Sequence, residues 1–305
     1  MTVYPLVVHI GSLSVTGFGL MMMLAFIMSG WAIQLDLRCR GLDEEYAADI
    51  VIAAVLGGLA GAKIWYWLLT GQSLFSRGGF VWYGGFLGGV AGVIFNSWRR
   101  RVPISFTADL VAPALTLGYA IGRVGCFVVG DDYGRPSSLP WAVKFPEGLP
   151  ATTVGNLQTQ LHVTFPAGTD PTLLVAVHPT QIYETALMLL ATAWLWKHRD
   201  HRHATGWLFA WYLVIAGVER FAIEFLRAKD DRVLNGFTIA QATSLGLIVV
   251  GAYLLTRLRG APPAGQERLA PPSLAKKALP SGEALPGDRV PGSARPKEQQ
   301  PGKDR

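Results

Sequence analysis

Apolar residues along this chain gather into long runs rather than into the short stripes of a soluble domain. Seven runs, at about 15–34, 48–69, 79–97, 107–129, 179–196, 206–226 and 238–257, each come near the ~20 residues that a helix needs to cross a bilayer. The pattern predicts an all-α polytopic membrane protein of seven transmembrane helices. Small residues recur every fourth position on two of these runs, at Gly57 and Gly61 and at Gly84, Gly88 and Gly92, with Gly85 and Gly89 beside them. That spacing lets two helices approach closely, and packing is its expected role.

Lysine and arginine between the runs give the expected orientation. One set of connections holds Arg38, Arg40, Arg99, Arg100, Arg101, Lys197, Arg199, Arg202, Arg257 and Arg259. The other holds Arg77, Arg135, Lys144, Arg227, Lys229 and Arg232. The richer set belongs on the cytoplasmic side. The N-terminus is then outside, the C-terminus inside, and residues 130–178 form an extracytoplasmic head. Residues 1–259 read as one transmembrane domain. Residues 260–305 hold nine prolines with scattered lysine, arginine, glutamate and glutamine and lack aromatic side chains, so they read as a disordered cytoplasmic tail.

Composition sharpens the class. Of 305 residues, 50% are hydrophobic and 16% charged, against about 25% charged in a soluble domain. The pI near 9.4 reflects topology and anionic lipid, and no nucleic acid partner is expected. Cys39 and Cys126 are too few for a disulfide framework and form no C-x-x-C pair. No cofactor and no metal are expected. The start of the chain lacks the basic region of a cleaved signal peptide, so the first run is expected to stay as a helix.

Polar residues inside the runs locate the chemistry. A charge at membrane depth costs at least ~2.5–3.5 kcal/mol, so one that is retained there binds something. Arg123 falls six residues before the end of the fourth run, roughly 9 Å deep at 1.5 Å per residue, and Asp131 and Asp132 follow that end. The expected topology puts Arg220, Glu224 and Arg227 in the last turns of the sixth run. Tyr83 falls one turn into the third, Lys63 in the outer third of the second, and His178, Gln181, Tyr183 and Glu184 at the mouth of the fifth. The inner leaflet receives little beyond Asp109. A channel or proton relay needs polar groups through the full thickness. A one-sided polar layer fits a site that works on a lipid headgroup. Arg220 and Glu224, four apart, lie on one helix face and read equally well as a plain ion pair. Beside Arg123 and Arg227, however, three arginines face few buried acids, and the spare guanidiniums suit a phosphate. Glu184 is placed to hold one arginine fork.

Five stretches resemble the prolipoprotein diacylglyceryl transferase family: Gly78 to Gly85, Gly122 to Gly134, His178 to Glu184, Arg220 to Arg227, and Gly236, Gln241, Ser244 and Leu245. The likeness covers about residues 5–257. It implies seven helices with a periplasmic head, in the bacterial inner membrane. It also implies transfer of a diacylglyceryl group from phosphatidylglycerol to the lipobox cysteine thiol of a prolipoprotein, with release of glycerol 1-phosphate. Arg123, Arg220, Glu184 and Glu224 stand where the family has the same residue types. The chain departs at Cys126 (usually Asn), Asp131 (usually Glu), Tyr83 (often His), Phe18 and Ala216 (usually Tyr). On this reading Arg123, Arg220, Tyr83 and Glu224 form the catalytic set. Arg123, Arg220, Asp131, Glu184, Arg227, His178 and Gln181 contact substrate, with Tyr83 or Asp131 binding glycerol hydroxyls or moving the proton. Two alternatives remain beside this one: a phosphatidylglycerol-dependent transferase with another acceptor, and a non-catalytic paralogue that binds lipid or lipoprotein.

Overall fold

A computed structural model describes residues 1–11, 13–73, 79–201, 203–228, 232–234, 237–259 and 271–275. Arg77, Gly78, Arg202, Lys229, Gly236 and most of the proline-rich tail lie outside the described residues. Every apolar run is a helix. In chain order these are α1 (Gly17–Cys39), α2 (Glu45–Thr70), α3 (Trp82–Arg99), α4 (Ile104–Val129), α6 (Thr180–Lys197), α7 (Trp207–Glu224) and α8 (Ile239–Arg259), with the short α5 (Val154–Leu161) between α4 and α6. By length and composition α1, α2, α4 and α8 are able to cross a membrane.

Local chemistry sets the helix ends. Thr16 caps α1, its hydroxyl accepting from the Gly19 amide at 3.2 Å. Helix α2 stops at Gly71 and α4 at Gly130, both left-handed, with φ of 66° and 70°, a conformation open to glycine without a Cβ penalty. Asp109 of α4 caps α7 by accepting from the amides of Gly206 at 2.6 Å and Phe209 at 2.9 Å.

Helix α4 is the axis, packed against α1, α6 and α7, and it is the most buried of the four long apolar helices. The α2–α3 pair is held by the glycine seam. A Cβ on Gly88 would strike the Gly57 carbonyl oxygen, and one on Gly61 the Gly84 carbonyl oxygen. At the end where α4 finishes, residues 130–178 fold as a head around Tyr133, Val143, Phe145, Leu157 and Val177. The head is tied down by the start of the chain, where the Val3 amide donates to the Lys144 carbonyl at 3.0 Å.

Three features differ from the sequence expectation. Before α1 the chain makes a hairpin of β1 (Val7–Ile10) and β2 (Leu13–Thr16), of which only Val15 and Thr16 fall in the first run. A second small hairpin, β3 (Arg232–Leu234) with β4 (Phe237–Thr238), leads into α8. The disordered tail expected over 260–305 does not hold for Pro271–Ala275. Leu274 is fully buried in the cluster of Leu37, Leu42, Tyr46, Val102 and Phe106, and its carbonyl accepts from the Asp43 amide at 2.8 Å. An apolar side chain with a pocket to fill orders a short segment whose overall composition favours disorder.

The end of the bundle away from the head is also more polar than expected. Asp36, 1% exposed, pairs with Arg40 at 3.0 Å and Arg199 at 3.5 Å, and Arg100 bridges Asp43 and Asp49. Several basic loop residues therefore serve as ion-pair partners as well as topology signals.

Candidate active site

The end of α4 makes a tight turn. Gly130 caps the helix, and Asp132 is itself left-handed at φ 55°, a conformation aspartate tolerates better than most residues. Gln181, fully buried on α6, donates to the Asp131 carbonyl at 2.6 Å, and Thr180 donates to the Asp132 carbonyl at 3.0 Å. Gly134 then passes so close to its neighbours that a Cβ would lie 2.6 Å from the Leu226 carbonyl oxygen and 2.7 Å from His178 Cβ. The turn is thus clamped between the starts of α6 and the end of α7.

This clamp aligns a row of alternating charges. Tyr119 donates to Glu184 Oε2, and Arg123 donates to Glu184 Oε1 at 2.7 Å. Arg123 also reaches Asp132 Oδ2 at 3.1 Å. The other Asp132 oxygen lies 2.5 Å from Arg227 Nη2, Arg227 Nε is 3.7 Å from Glu224 Oε2, and that oxygen is 2.6 Å from Arg220 Nη1. The Arg220–Glu224 approach is an ion pair by distance without hydrogen-bond alignment. Among the three arginines exposure rises from Arg123 at 8% through Arg227 at 12% to Arg220 at 27%, while Asp132 between them is 44% exposed and Glu184 and Glu224 are buried. Arg220 is the most open of the three guanidiniums.

The two aspartates divide in character. Burial and the adjacent Asp132 push the Asp131 carboxyl up from the ordinary carboxylate value. Burial opposes charge on Asp132 as well, but Arg227 and Arg123 outweigh it and hold that carboxyl low. Asp132, rather than Asp131, is the acid that joins the arginines. Three guanidiniums meet three carboxylates (Asp132, Glu184 and Glu224), so the count leaves no surplus arginine, against the sequence expectation; what Arg220 offers is a partly exposed guanidinium whose Nη1 is ion-paired without a hydrogen bond. The expected Glu184 hold on an arginine is present.

The remaining candidates fall at different distances from the row. His178 ties the head to α6: its carbonyl accepts from the Gly134 amide at 2.9 Å, and its Nδ1 lies 3.3 Å from the Tyr183 hydroxyl, which accepts from Trp141 at 2.7 Å. Tyr83 is 54% exposed on α3, with its ring edge-on to Trp82, and it makes no hydrogen bond to the row. Lys63 sits over the Phe80 ring at 4.4 Å. Sequence reading missed Tyr119 and Glu219. Tyr119 carried a usable signal, since four positions before Arg123 is the same helix face. Among the described residues, Cys126, Asp131 and Asp132 have the spacing of metal ligands. Arg123 already donates to two of them, Cys126 Sγ at 3.2 Å and Asp132, so a guanidinium stands where a cation would.

The family model of the prolipoprotein diacylglyceryl transferases matches residues 5–257. The chain belongs to this family. It is 34% identical over 281 residues to the phosphatidylglycerol–prolipoprotein diacylglyceryl transferase of Stenotrophomonas maltophilia, covering 85% of this chain and 92% of that protein. Proteins of the same name from Nitratidesulfovibrio vulgaris and Clostridium tetani are 31% and 29% identical, covering 84% and 82% of this chain and 94% and 96% of theirs. The transferase match spans both the charge row and the head, and it ends at residue 257, within α8.

Proposed function

We propose that this chain is a phosphatidylglycerol–prolipoprotein diacylglyceryl transferase of the bacterial inner membrane. All seven apolar helices cross the bilayer, with the head and N-terminus outside. The observation that carries the reading is the unbroken row from Tyr119 to Arg220, laid under the head and ending in a partly exposed guanidinium.

The reaction needs little else from the protein. The lipobox thiol loses its proton, its sulfur bonds to the glycerol carbon of the donor lipid, and the bond from that carbon to the phosphate oxygen breaks. The thiol proton passes to the medium or to the departing glycerol 1-phosphate. A free thiol has a pKa of about 8.5, so a cationic field beside it raises the thiolate fraction. The charge that develops on the leaving phosphate is met by guanidiniums already in place, in surroundings poor in water. Arg220 contacts the phosphate. Arg123 supports it from within, held by Glu184, while Glu224 and Arg227 fix the angle of Arg220. Asp131, with its raised carboxyl, is the acid nearest the turn that can take or give a proton or bind a glycerol hydroxyl. Tyr83 stands at the exposed face where lipid approaches. Gln181 and His178 act through the turn and the head.

Incubation of the purified protein with labelled phosphatidylglycerol and a lipobox peptide, alongside the same peptide with Cys→Ala, tests the function. Label on the cysteine peptide alone is the expected result. Label on neither peptide, or on both, overturns a thiol-directed transfer.

A further inference from the structure

Glu219 sits on α7 next to Arg220 and is only 6% exposed. It takes no part in the ion pairs of the charge row, and its Oε1 is buried without a hydrogen-bond partner. Its electrostatic neighbours are Glu184 on α6, Arg123 on α4 and Arg220 on its own helix, with Tyr119 of α4 also within range. Helix α8 packs on α7, where Ser244 and Ile248 meet Gly217, and carries no titratable side chain between Ile239 and Ala252.

The charge count gives this position its meaning. Arg123, Arg220 and Arg227 are already matched by Asp132, Glu184 and Glu224. An ionised Glu219 would be a further carboxylate beside Glu184, competing with it and with Glu224 for Arg123 and Arg220, and an incompletely paired buried charge is expensive. A neutral carboxyl there is cheap, and it leaves the row balanced. The lipid phosphate then brings the next negative charge, and it meets arginines that no second carboxylate is drawing inward.

We propose that Glu219 is a positioning residue that works in its protonated form, keeping Arg123 and Arg220 available to the phosphate of the donor lipid. Loss of its proton at alkaline pH sets a second carboxylate beside Glu184, turns the guanidiniums inward and weakens lipid binding. The inference rests on the transferase reading for its substrate and deepens it.

The test is the ratio of KM for phosphatidylglycerol at pH 9.5 to that at pH 7, with kcat followed separately. The same ratio is taken for the dissociation constant of labelled phosphatidylglycerol, in the full-length protein without acceptor. Wild type should show a ratio of about tenfold, the order of effect expected when one nearby charge appears in a poorly hydrated site. Glu219→Gln, neutral at every pH, should bring the ratio near one, and Glu219→Asp should keep it. Glu219→Met gives the same readout if the Gln variant is recovered poorly. An alkaline rise that persists in Glu219→Gln and Glu219→Met overturns the proposal, as does a wild-type ratio near one. If no label is ever transferred but lipid binding follows this pattern, the transferase reading fails and the role of Glu219 stands.

Discussion

At the scale of single residues, the site is a set of paired charges in which Arg220 is the most open arginine, and substitutions along it should differ in kind. Arg123→Ala leaves Glu184, which is 1% exposed, as an uncompensated buried carboxylate, a loss of about 3–5 kcal/mol for a broken buried pair. It should lower thermal stability in detergent as well as abolish transfer. Asp132→Asn removes the link between Arg123 and Arg227. Because Arg227 and Arg123 hold the Asp132 carboxyl low, its contribution to stability is complete above the unfolded value of about 3.9 and is lost only as pH falls through the lower folded value. Wild type and Asp132→Asn should therefore keep a constant difference in melting temperature from pH 8 to pH 5, and converge in stronger acid. A difference that closes by pH 6 would mean that Asp132 is not held by the arginines. Arg123 was legible in the sequence because a charge inside an apolar run is costly. Which of two adjacent aspartates pairs with the arginines was not, since it depends on the left-handed backbone at Asp132. Glu219 was hidden by its neighbour Arg220, which claimed the helix face for a simpler i, i+4 pair.

At the scale of elements, helix packing rests on places where a side chain has been left out. The α2–α3 seam brings Gly57, Gly61, Gly84 and Gly88 into backbone contact. Gly88→Ala places a methyl against the Gly57 carbonyl and the Gly61 Cα, atoms that move only if the two helices part. It should cost about 1–3 kcal/mol, the usual range for overpacking. Gly246→Ala on α8 meets nothing within 4 Å and should be neutral or stabilising by up to ~1 kcal/mol, since alanine is the better helix former. Equal melting temperatures for the two variants would refute close packing at the seam. The seven long helices were readable to within a few residues, because length and continuous hydrophobicity are properties of local sequence. The hairpin before α1 and the short α5 were not. Both depend on contacts within the head and the N-terminal segment, and neither has a long run to announce it.

At the scale of the whole molecule, two polar layers face opposite ends of an apolar bundle and do different work. The layer under the head contains the row of alternating charges. The other is a set of closed ion pairs around Asp36, Arg40, Arg100 and Arg199, joined by the turn that buries Leu274. Truncation after Ala275 should leave stability unchanged. Truncation after Arg259 removes Leu274 and should cost about 2–5 kcal/mol, as for emptying a buried leucine site, while transfer per folded molecule is kept. Equal stability of the two truncations would show that the turn holds nothing together. This layer was least legible in the sequence, since Pro271–Ala275 has the composition of its disordered-looking surroundings and only the tertiary pocket selects it.

The most direct test of the account is transfer by Arg220→Ala beside wild type, each scaled to folded protein recovered from the membrane. Arg220 has a side chain 27% exposed, but its partner Glu224 is 3% exposed and keeps only Arg227 at 3.7 Å, so its loss should lower the melting temperature, though by less than loss of the more buried Arg123. Transfer of labelled diacylglyceryl to the lipobox thiol should fall by about 10²–10³, the usual effect of removing one preorganised donor from a developing oxyanion. Activity within a few-fold of wild type, per folded molecule, would contradict the phosphate-binding role of Arg220.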